Sequence, residues 1–394
     1  MSSIDIFPRL DRLGLELGAE ERQIVASVRD FAQRRVAPGA AERDRTGAFP
    51  VEVLRECVEL GLHAMKVPAE SGGAGADDVT YALVMEAVAE ACASTAVVLA
   101  SSNLTAKVLD AHATAAQRER WLRPYAEGRL GPASFALTEP SCGTDASALR
   151  TRATLDGDAW VLDGEKMWIT SATHAGLHLV FARTDEAGPR SAEGISAFVV
   201  EAGTPGLVVG REEDKMGQRA SGTAAVSFDG CRVPAAALVG ERGRGYAVAL
   251  SALGAGRVGI AALSIGLAEA ALAEGLAYGT QRRAFGQALT EFQNTQFVLA
   301  DSRTELDAAW LLTLRAARLL GRGDRASAET SMAKLFASET CARVVDRMVQ
   351  LHGGYGYSRE YAVERIYRDA RVTRIYEGTS EAQRIVIARE MLRA

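Results

Sequence analysis

The spacing of apolar residues changes character twice along the chain, and this alternation limits the possible folds more than any single motif does. In the first third, Ile24, Val28 and Phe31 fall at i, i+4 and i+7 while Arg29, Asp30, Arg34 and Arg35 lie off that stripe, the pattern of a helix with one buried face. Pro38 and Gly39 close this element, and Val51, Leu54 and Val58 begin another stripe. Residues 71–76 form a Gly-rich loop, after which Asp77 or Asp78 can cap a long helix. Helical texture continues through Trp121 and Leu122 until Pro124, Gly128 and Gly131-Pro132. Then the period becomes that of strands. Residues 151–155 and 159–162 flank Asp156-Gly157-Asp158, and Asp163-Gly164 precedes 165–170, so two Asp-Gly turns predict two hairpins. Residues 178–183, 195–200 and 224–228 predict further strands. After Gly243 and Gly245 the chain is helical again, with Ile260, Leu263, Leu267 and Ala271 on one stripe and breaks at 321–324 and 352–356. Thr290-Glu291-Phe292-Gln293 and Ser380-Glu381-Ala382-Gln383 have the pattern of capping boxes. Four long helices with short connections predict an antiparallel bundle. The expectation is an α+β fold in three parts: α-helical over 1–133, β over 134–240 and a four-helix bundle over 241–394.

The chain has 394 residues, 48% of them hydrophobic, enough for a substantial core in two or three domains. A net charge of −5 argues against a dedicated nucleic-acid binder, although a local basic pocket for phosphates is compatible with it. Five scattered cysteines, Cys57, Cys92, Cys142, Cys231 and Cys341, form no Cys-x-x-Cys pair, so reduced, partly buried thiols are expected, with neither a disulfide framework nor a metal site. Residues 1–21 mix acidic with basic side chains and have no apolar core of signal length, and no segment is expected to approach a membrane span, the apolar stretch 95–100 being too short to cross a bilayer. A soluble cytoplasmic protein without membrane attachment is expected.

Near the C-terminus, Arg374-Ile375-Tyr376-Glu377-Gly378-Thr379 places one carboxylate among an aromatic residue, a glycine and a threonine. Apolar walls would strip water from Glu377 and raise its pKa toward the range of a general base, while Gly378 permits a sharp turn. The plain alternative is a solvated Glu at a helix start. Residues 135–145 (Phe-Ala-Leu-Thr-Glu-Pro-Ser-Cys-Gly-Thr-Asp) read either as an interdomain linker or as a loop whose amides and hydroxyls face a flat polar ligand. In Lys166-Met167-Trp168-Ile169-Thr170-Ser171, the strand period would put Trp168 and Thr170 on one face, an indole to pack on a ring and a hydroxyl to bond its edge, unless Trp168 is simply core. Arg282-Arg283-Ala284-Phe285-Gly286 reads as a solvated face or a diphosphate clamp, and the glycines of residues 350–357 as helix breakers or as a close approach to a nucleotide. Residues 350–357 are neither a Gly-x-Gly-x-x-Gly after a strand nor a P-loop, so nothing there suggests a Rossmann site or NTP hydrolysis.

In this order and spacing, these segments, with Lys215-Met216-Gly217-Gln218-Arg219 and Arg365-Ile366-Tyr367-Arg368-Asp369-Ala370, closely resemble the acyl-CoA dehydrogenase family from about Glu20 to Leu392. The resemblance implies FAD as cofactor, a homotetramer, and an FAD site completed by a neighbouring subunit. By position, Phe135, Leu137, Thr138, Gly143 and Thr144 would line the flavin, with Trp168 near the ring and Thr170 near N5. Arg282, Phe285, Gln293, Gln350 and Gly354 would hold the diphosphate across the subunit interface, and Thr379 and Glu381 would touch the near FAD. Thr144, Arg257, Tyr376, Gly378 and Arg389 match acyl-CoA positions.

Within the family the base stands either in Tyr-Glu-Gly-Thr or immediately before the arginine numbered 257 here, where this chain has Gly256, so the resemblance assigns the base to Glu377. The implied chemistry is removal of an α-proton of the thioester by Glu377 with hydride leaving the β-carbon for flavin N5, and electrons passing to an electron-transferring flavoprotein. The developing enolate would be stabilised by a ribityl hydroxyl and the backbone N–H of the base. Gly254 replaces a frequent Asp, Ser141-Cys142-Gly143-Thr144 replaces the commoner Gly-Ala-Gly-Ser, and Ala362 stands where Pro is frequent. The expected substrate is a short or branched acyl-CoA. The rival readings are an acyl-carrier-protein dehydrogenase of a biosynthetic pathway, a flavin oxidase, and a catalytically silent helical assembly protein.

Overall fold

The computed structural model describes residues 7–14, 17–185 and 191–393; Asp5 and Glu16, two acidic residues of the opening 21, lie outside them. The first part is helical, with α1 (Ala19–Phe31), α2 (Val51–Glu59), α3 (Asp78–Ala91) and α4 (Ala93–His112). Asp77 caps α3, its Oδ1 accepting the Thr80 N–H at 2.7 Å, whereas Asp78 is taken up in an ion pair with Lys66.

The middle part contributes an eight-stranded sheet of the described residues. Its strands are β1 (Ala133–Ala136), β2 (Arg152–Asp156), β3 (Ala159–Ile169), β4 (Leu177–Arg183), β5 (Ile195–Glu201), β6 (Leu207–Glu212), β7 (Ala224–Pro234) and β8 (Leu238–Val239). They run in the order β6-β7-β3-β2-β4-β5-β8, with β1 parallel to β4. The first expected hairpin forms at Gly157, where β2 pairs antiparallel with β3. The second does not. Asp163-Gly164 lies inside one continuous strand, at a shift in its register with β7. Gly164 has φ +144° and a Cβ there would come within 2.7 Å of the Thr151 Cα, so it serves close backbone approach at a bulge rather than a turn.

The last part holds α5 (Gly245–Gln281), α6 (Gln293–Gly321), α7 (Ser327–His352), α8 (Ala362–Ala370) and α9 (Ser380–Met391). Three of these are long; α9, the fourth bundle helix, has only 12 residues. Contrary to the expectation that no segment approaches a membrane span, α5 is long and apolar enough for one. Most of that apolar stretch is buried inside the protein: α3, α4, α6 and α7 pack around α5, and Ile260, Leu263, Leu267 and Ala271 are all buried. Over residues 258–268 it is buried on every face, which is why it is apolar all round there. All five cysteines are buried and unpaired.

Candidate active site

Between the turn Arg371–Arg374 and α9, the chain turns through the left-handed region twice, with φ +53° at Glu377 and +89° at Gly378. For a glutamate that conformation costs on the order of 1–3 kcal/mol and persists only where neighbours hold it. Two buried side chains do so. Lys334 of α7 donates from Nζ to the Gly378 carbonyl at 2.7 Å. Gln383 of α9 donates from Nε2 to the Gly378 carbonyl at 2.9 Å and to that of Glu377 at 3.1 Å. Glu339 of α7 ties both flanks, accepting from Ser380 Oγ at 2.6 Å and pairing with Arg374 Nε at 3.2 Å. The helix cap is Thr379, whose Oγ1 accepts the Ala382 N–H at 3.2 Å, so the expected capping box at Ser380 is displaced by one residue, the Ser380 hydroxyl being engaged with Glu339. The other expected box also shifts: Glu291 reaches back to the Ala288 N–H at 2.6 Å, and α6 begins at Gln293 without a side-chain cap.

This turn aims Glu377 at α5. Its Oε2 is enclosed and makes no hydrogen bond, and a Cβ on Gly256 would lie 2.9 Å from it and 3.4 Å from Leu104 Cδ1. Burial raises the Glu377 pKa, opposed by the charges of Arg257 and Lys334. Arg257 follows Gly256 on α5, donates from Nη1 to Ser331 Oγ at 3.2 Å and leaves Nε unpartnered. Of the residues matched to acyl-CoA positions, Gly378 and Arg257 are therefore gathered around the enclosed carboxylate of Glu377. Thr144 and Arg389 are exposed. The Tyr376 hydroxyl accepts from Gln218 Nε2 at 3.2 Å. Gln218, itself left-handed at φ +45°, also donates its backbone N–H to Asp369. Beside it Arg219 bonds the Asp44 carbonyl at 3.0 Å and Arg368 pairs with the Asp44 carboxylate at 2.6 Å. All three parts of the chain meet behind Tyr376.

The second cluster lies where β1 runs into the loop at 137–145. A buried ion pair, Lys166 Nζ to Glu139 Oε1 at 2.8 Å, anchors it; Glu139 also accepts the N–H of Arg150 at 2.6 Å and of Thr151 at 2.9 Å. Burial alone would raise the Glu139 pKa, but Lys166 and these donors hold it below the usual value. The Met167 N–H bonds the Thr138 carbonyl at 2.9 Å, which brings Trp168 beside Leu137 and Thr138. Trp168 is 57% exposed and has φ +61°, so it is not core. The same-face argument for Trp168 and Thr170 fails, because the left-handed residue breaks the alternation and β3 ends at Ile169. Phe135 is half-buried against Phe181, and Gly143 is open. The Ser171 hydroxyl is buried without a partner.

A third cluster surrounds a cavity of about 470 Å³ lined by Tyr278, Arg282, Leu289, Leu351, Gly353 and Gly354. Arg282 stands over the Tyr355 ring at 5.5 Å. Phe285 is 97% exposed; Gln293 and Gln350 are exposed and outside the cavity lining, as is Glu381 on α9. An exposed indole, open glycines, an unpartnered hydroxyl and a cationic, aromatic cavity fit the ring and diphosphate of a flavin dinucleotide. Sequence reasoning missed Lys334, Gln383 and the Glu139–Lys166 pair as supports. A lone lysine within Met332-Ala333-Lys334-Leu335-Phe336 is the signal that could have found the first.

An enclosed carboxylate and exposed surfaces suited to a flavin, carried on a helical–β–helical scaffold, are the features of a flavin-dependent oxidoreductase. Residues 18–129 match the acyl-CoA dehydrogenase N-terminal domain, 134–231 the middle domain and 243–392 the C-terminal domain, and the chain belongs to the acyl-CoA dehydrogenase family, whose members are FAD-dependent and act on CH–CH donors. It is 44% identical over 382 residues to the mitochondrial short-chain specific acyl-CoA dehydrogenase of Mus musculus, covering 96% of this chain and 92% of that protein. Butyryl-CoA dehydrogenase from Megasphaera elsdenii is a structural neighbour at TM-score 0.93 and 38% identity, covering 96% and 99% of the two chains. A structure described as the electron transferring flavoprotein of Acidaminococcus fermentans matches at TM-score 0.94 and 38% identity, over 96% of this chain and 100% of that one.

Proposed function

We propose that the protein oxidises a short-chain acyl-CoA thioester to the trans-2-enoyl-CoA, with Glu377 as the base that takes the α-proton. The observation that carries this reading is the enclosed, unpartnered Oε2 of Glu377 facing the space left by Gly256. Desolvation raises the proton affinity of that carboxylate, as a base acting on a weak carbon acid requires. As the family resemblance implies, the backbone N–H of Glu377 would stabilise the thioester oxygen as negative charge develops on it. Phe135, Leu137, Thr138, Gly143, Thr144, Trp168, Thr170, Thr379 and Glu381 hold FAD in the same subunit, which when bound supplies the acceptor for the β-hydride. The exposed Arg282, Phe285, Gln293, Gln350 and Gly354 complete the site of a neighbouring subunit in a homotetramer, and an electron-transferring flavoprotein is the acceptor. The short-chain and butyryl-CoA relatives support the substrate class. The test is anaerobic bleaching of the bound flavin by butyryl-, octanoyl- and palmitoyl-CoA and by butyryl-acyl-carrier protein. Butyryl-CoA is expected to be fastest; faster bleaching by the carrier-protein thioester, or rapid oxygen consumption without an added acceptor, would overturn the reading.

A further inference from the structure

Lys334 is fully buried on α7, and its ammonium donates to one backbone carbonyl, that of Gly378, at 2.7 Å. Taking an ammonium out of water is costly, and a carbonyl alone is weak compensation. A methionine would fill the same volume between packed helices more favourably, so packing does not account for a lysine here. What distinguishes the position is what lies next to that carbonyl: the left-handed Glu377 and its unpartnered carboxylate.

We propose that Lys334 is a positioning residue for Glu377, fixing the Glu377–Gly378 turn through the Gly378 carbonyl and setting a positive charge behind the carboxylate. This rests on the reading of Glu377 as the base. The charged groups facing Lys334 are Glu377 from the turn, Glu339 on its own helix, Arg257 on α5 and Glu381 on α9; Glu377 in turn faces Arg257, Lys334 and the Tyr81 phenol of α3. Burial brings the Lys334 pKa down to about 8, with Glu377 opposing that fall, so the side chain is cationic at neutral pH. A cation there favours the ionised base, and its loss moves the ionisation of Glu377 to higher pH. Gln383 bonds the same carbonyl, so the turn survives without Lys334 but is held less firmly.

The experiment compares FAD-loaded wild type with Lys334→Met, Lys334→Gln and Lys334→Arg. Hydrogen exchange of residues 376–380, measured without substrate, reads the hold on the turn. The rate of anaerobic flavin reduction by butyryl-CoA between pH 5.5 and 9 reads the charge. In Lys334→Met the turn should exchange at least about tenfold faster, and the acid limb of the rate profile should move up by about one pH unit, at the low end of shifts caused by a neighbouring opposite charge. Lys334→Arg should restore the limb, whereas Lys334→Gln, a donor without charge, should slow exchange but leave the limb displaced. Unchanged exchange and an unmoved limb in Lys334→Met, even with lowered melting temperature, would reduce Lys334 to packing and overturn the proposal. Full flavin reduction by a parallel Glu377→Gln variant would sink the base assignment instead, while the exchange comparison would still decide whether Lys334 holds the turn.

Discussion

At the scale of single residues, the site is a contest between conformational cost and enclosure. Glu377 sits in a backbone region that its side chain disfavours, and the bonds from Lys334 and Gln383 to the turn hold it there. Gly256 leaves room for the carboxylate, which gives a prediction. In Gly256→Ala the new methyl would stand 2.9 Å from Oε2, the free end of a flexible side chain. The melting temperature should therefore change little. The rate of flavin reduction should fall on the order of ten- to a hundredfold, because displacing a reacting group by a fraction of an ångström to an ångström costs that much. Equal rates for the two proteins would show that the space at Gly256 has no bearing on the base. The hexapeptide singled out Glu377 but left a solvated helix-start glutamate open, and the assignment to the base came from the family resemblance, with Gly256 at the alternative position. Lys334 stayed hidden because its partner is a backbone carbonyl on another helix, and no local spacing records that.

At the scale of elements, local chemistry was readable and register was not. Asp156-Gly157 made its hairpin, but Asp163-Gly164, with the same residue types, became a bulge because β7 continues to pair with β3 on both sides of it. The sequence shows one stripe on α5, whereas residues 258–268 are buried on every face; the cap at Thr379 lies one residue before the expected box because Glu339 takes the Ser380 hydroxyl, and Glu291 reaches back to Ala288 rather than capping α6. Pairing also creates a pH-sensitive element. Ser134 of β1 lies opposite His178 of β4, and its hydroxyl meets the buried Nδ1 at 2.8 Å. Burial lowers the His178 pKa to about 4, against about 6.5 in an unfolded chain. A base held neutral by folding contributes stability that is present above about pH 6.5 and lost as pH falls toward about 4. Urea unfolding at pH 7 and pH 4.5 should show His178→Asn losing roughly 2–3 kcal/mol less than wild type on acidification. An identical acid loss in both would place the sensitivity elsewhere.

At the scale of the whole molecule, the site belongs to no single part. The proposed base comes from the C-terminal bundle, the residues proposed to face the flavin ring from the loop after β1 and the end of β3, and the junction behind Tyr376 joins Asp44, Gln218 and Arg368 from all three. The bundle also carries exposed apolar side chains at Phe285, Tyr357, Ile385, Met391 and Leu392. If these face a second subunit that shares the FAD, Arg282→Ala should weaken FAD retention at least about tenfold and shift sedimentation toward smaller species together, since a ligand bound only by the assembly stabilises it. A stable monomer with full flavin occupancy would contradict the shared site. The most direct test of the account is anaerobic single-turnover flavin reduction by butyryl-CoA in FAD-loaded wild type and Glu377→Gln. The variant should keep its flavin and its fold and lose on the order of 10² to 10⁴ in rate. Bleaching at close to the wild-type rate would mean that another group takes the proton.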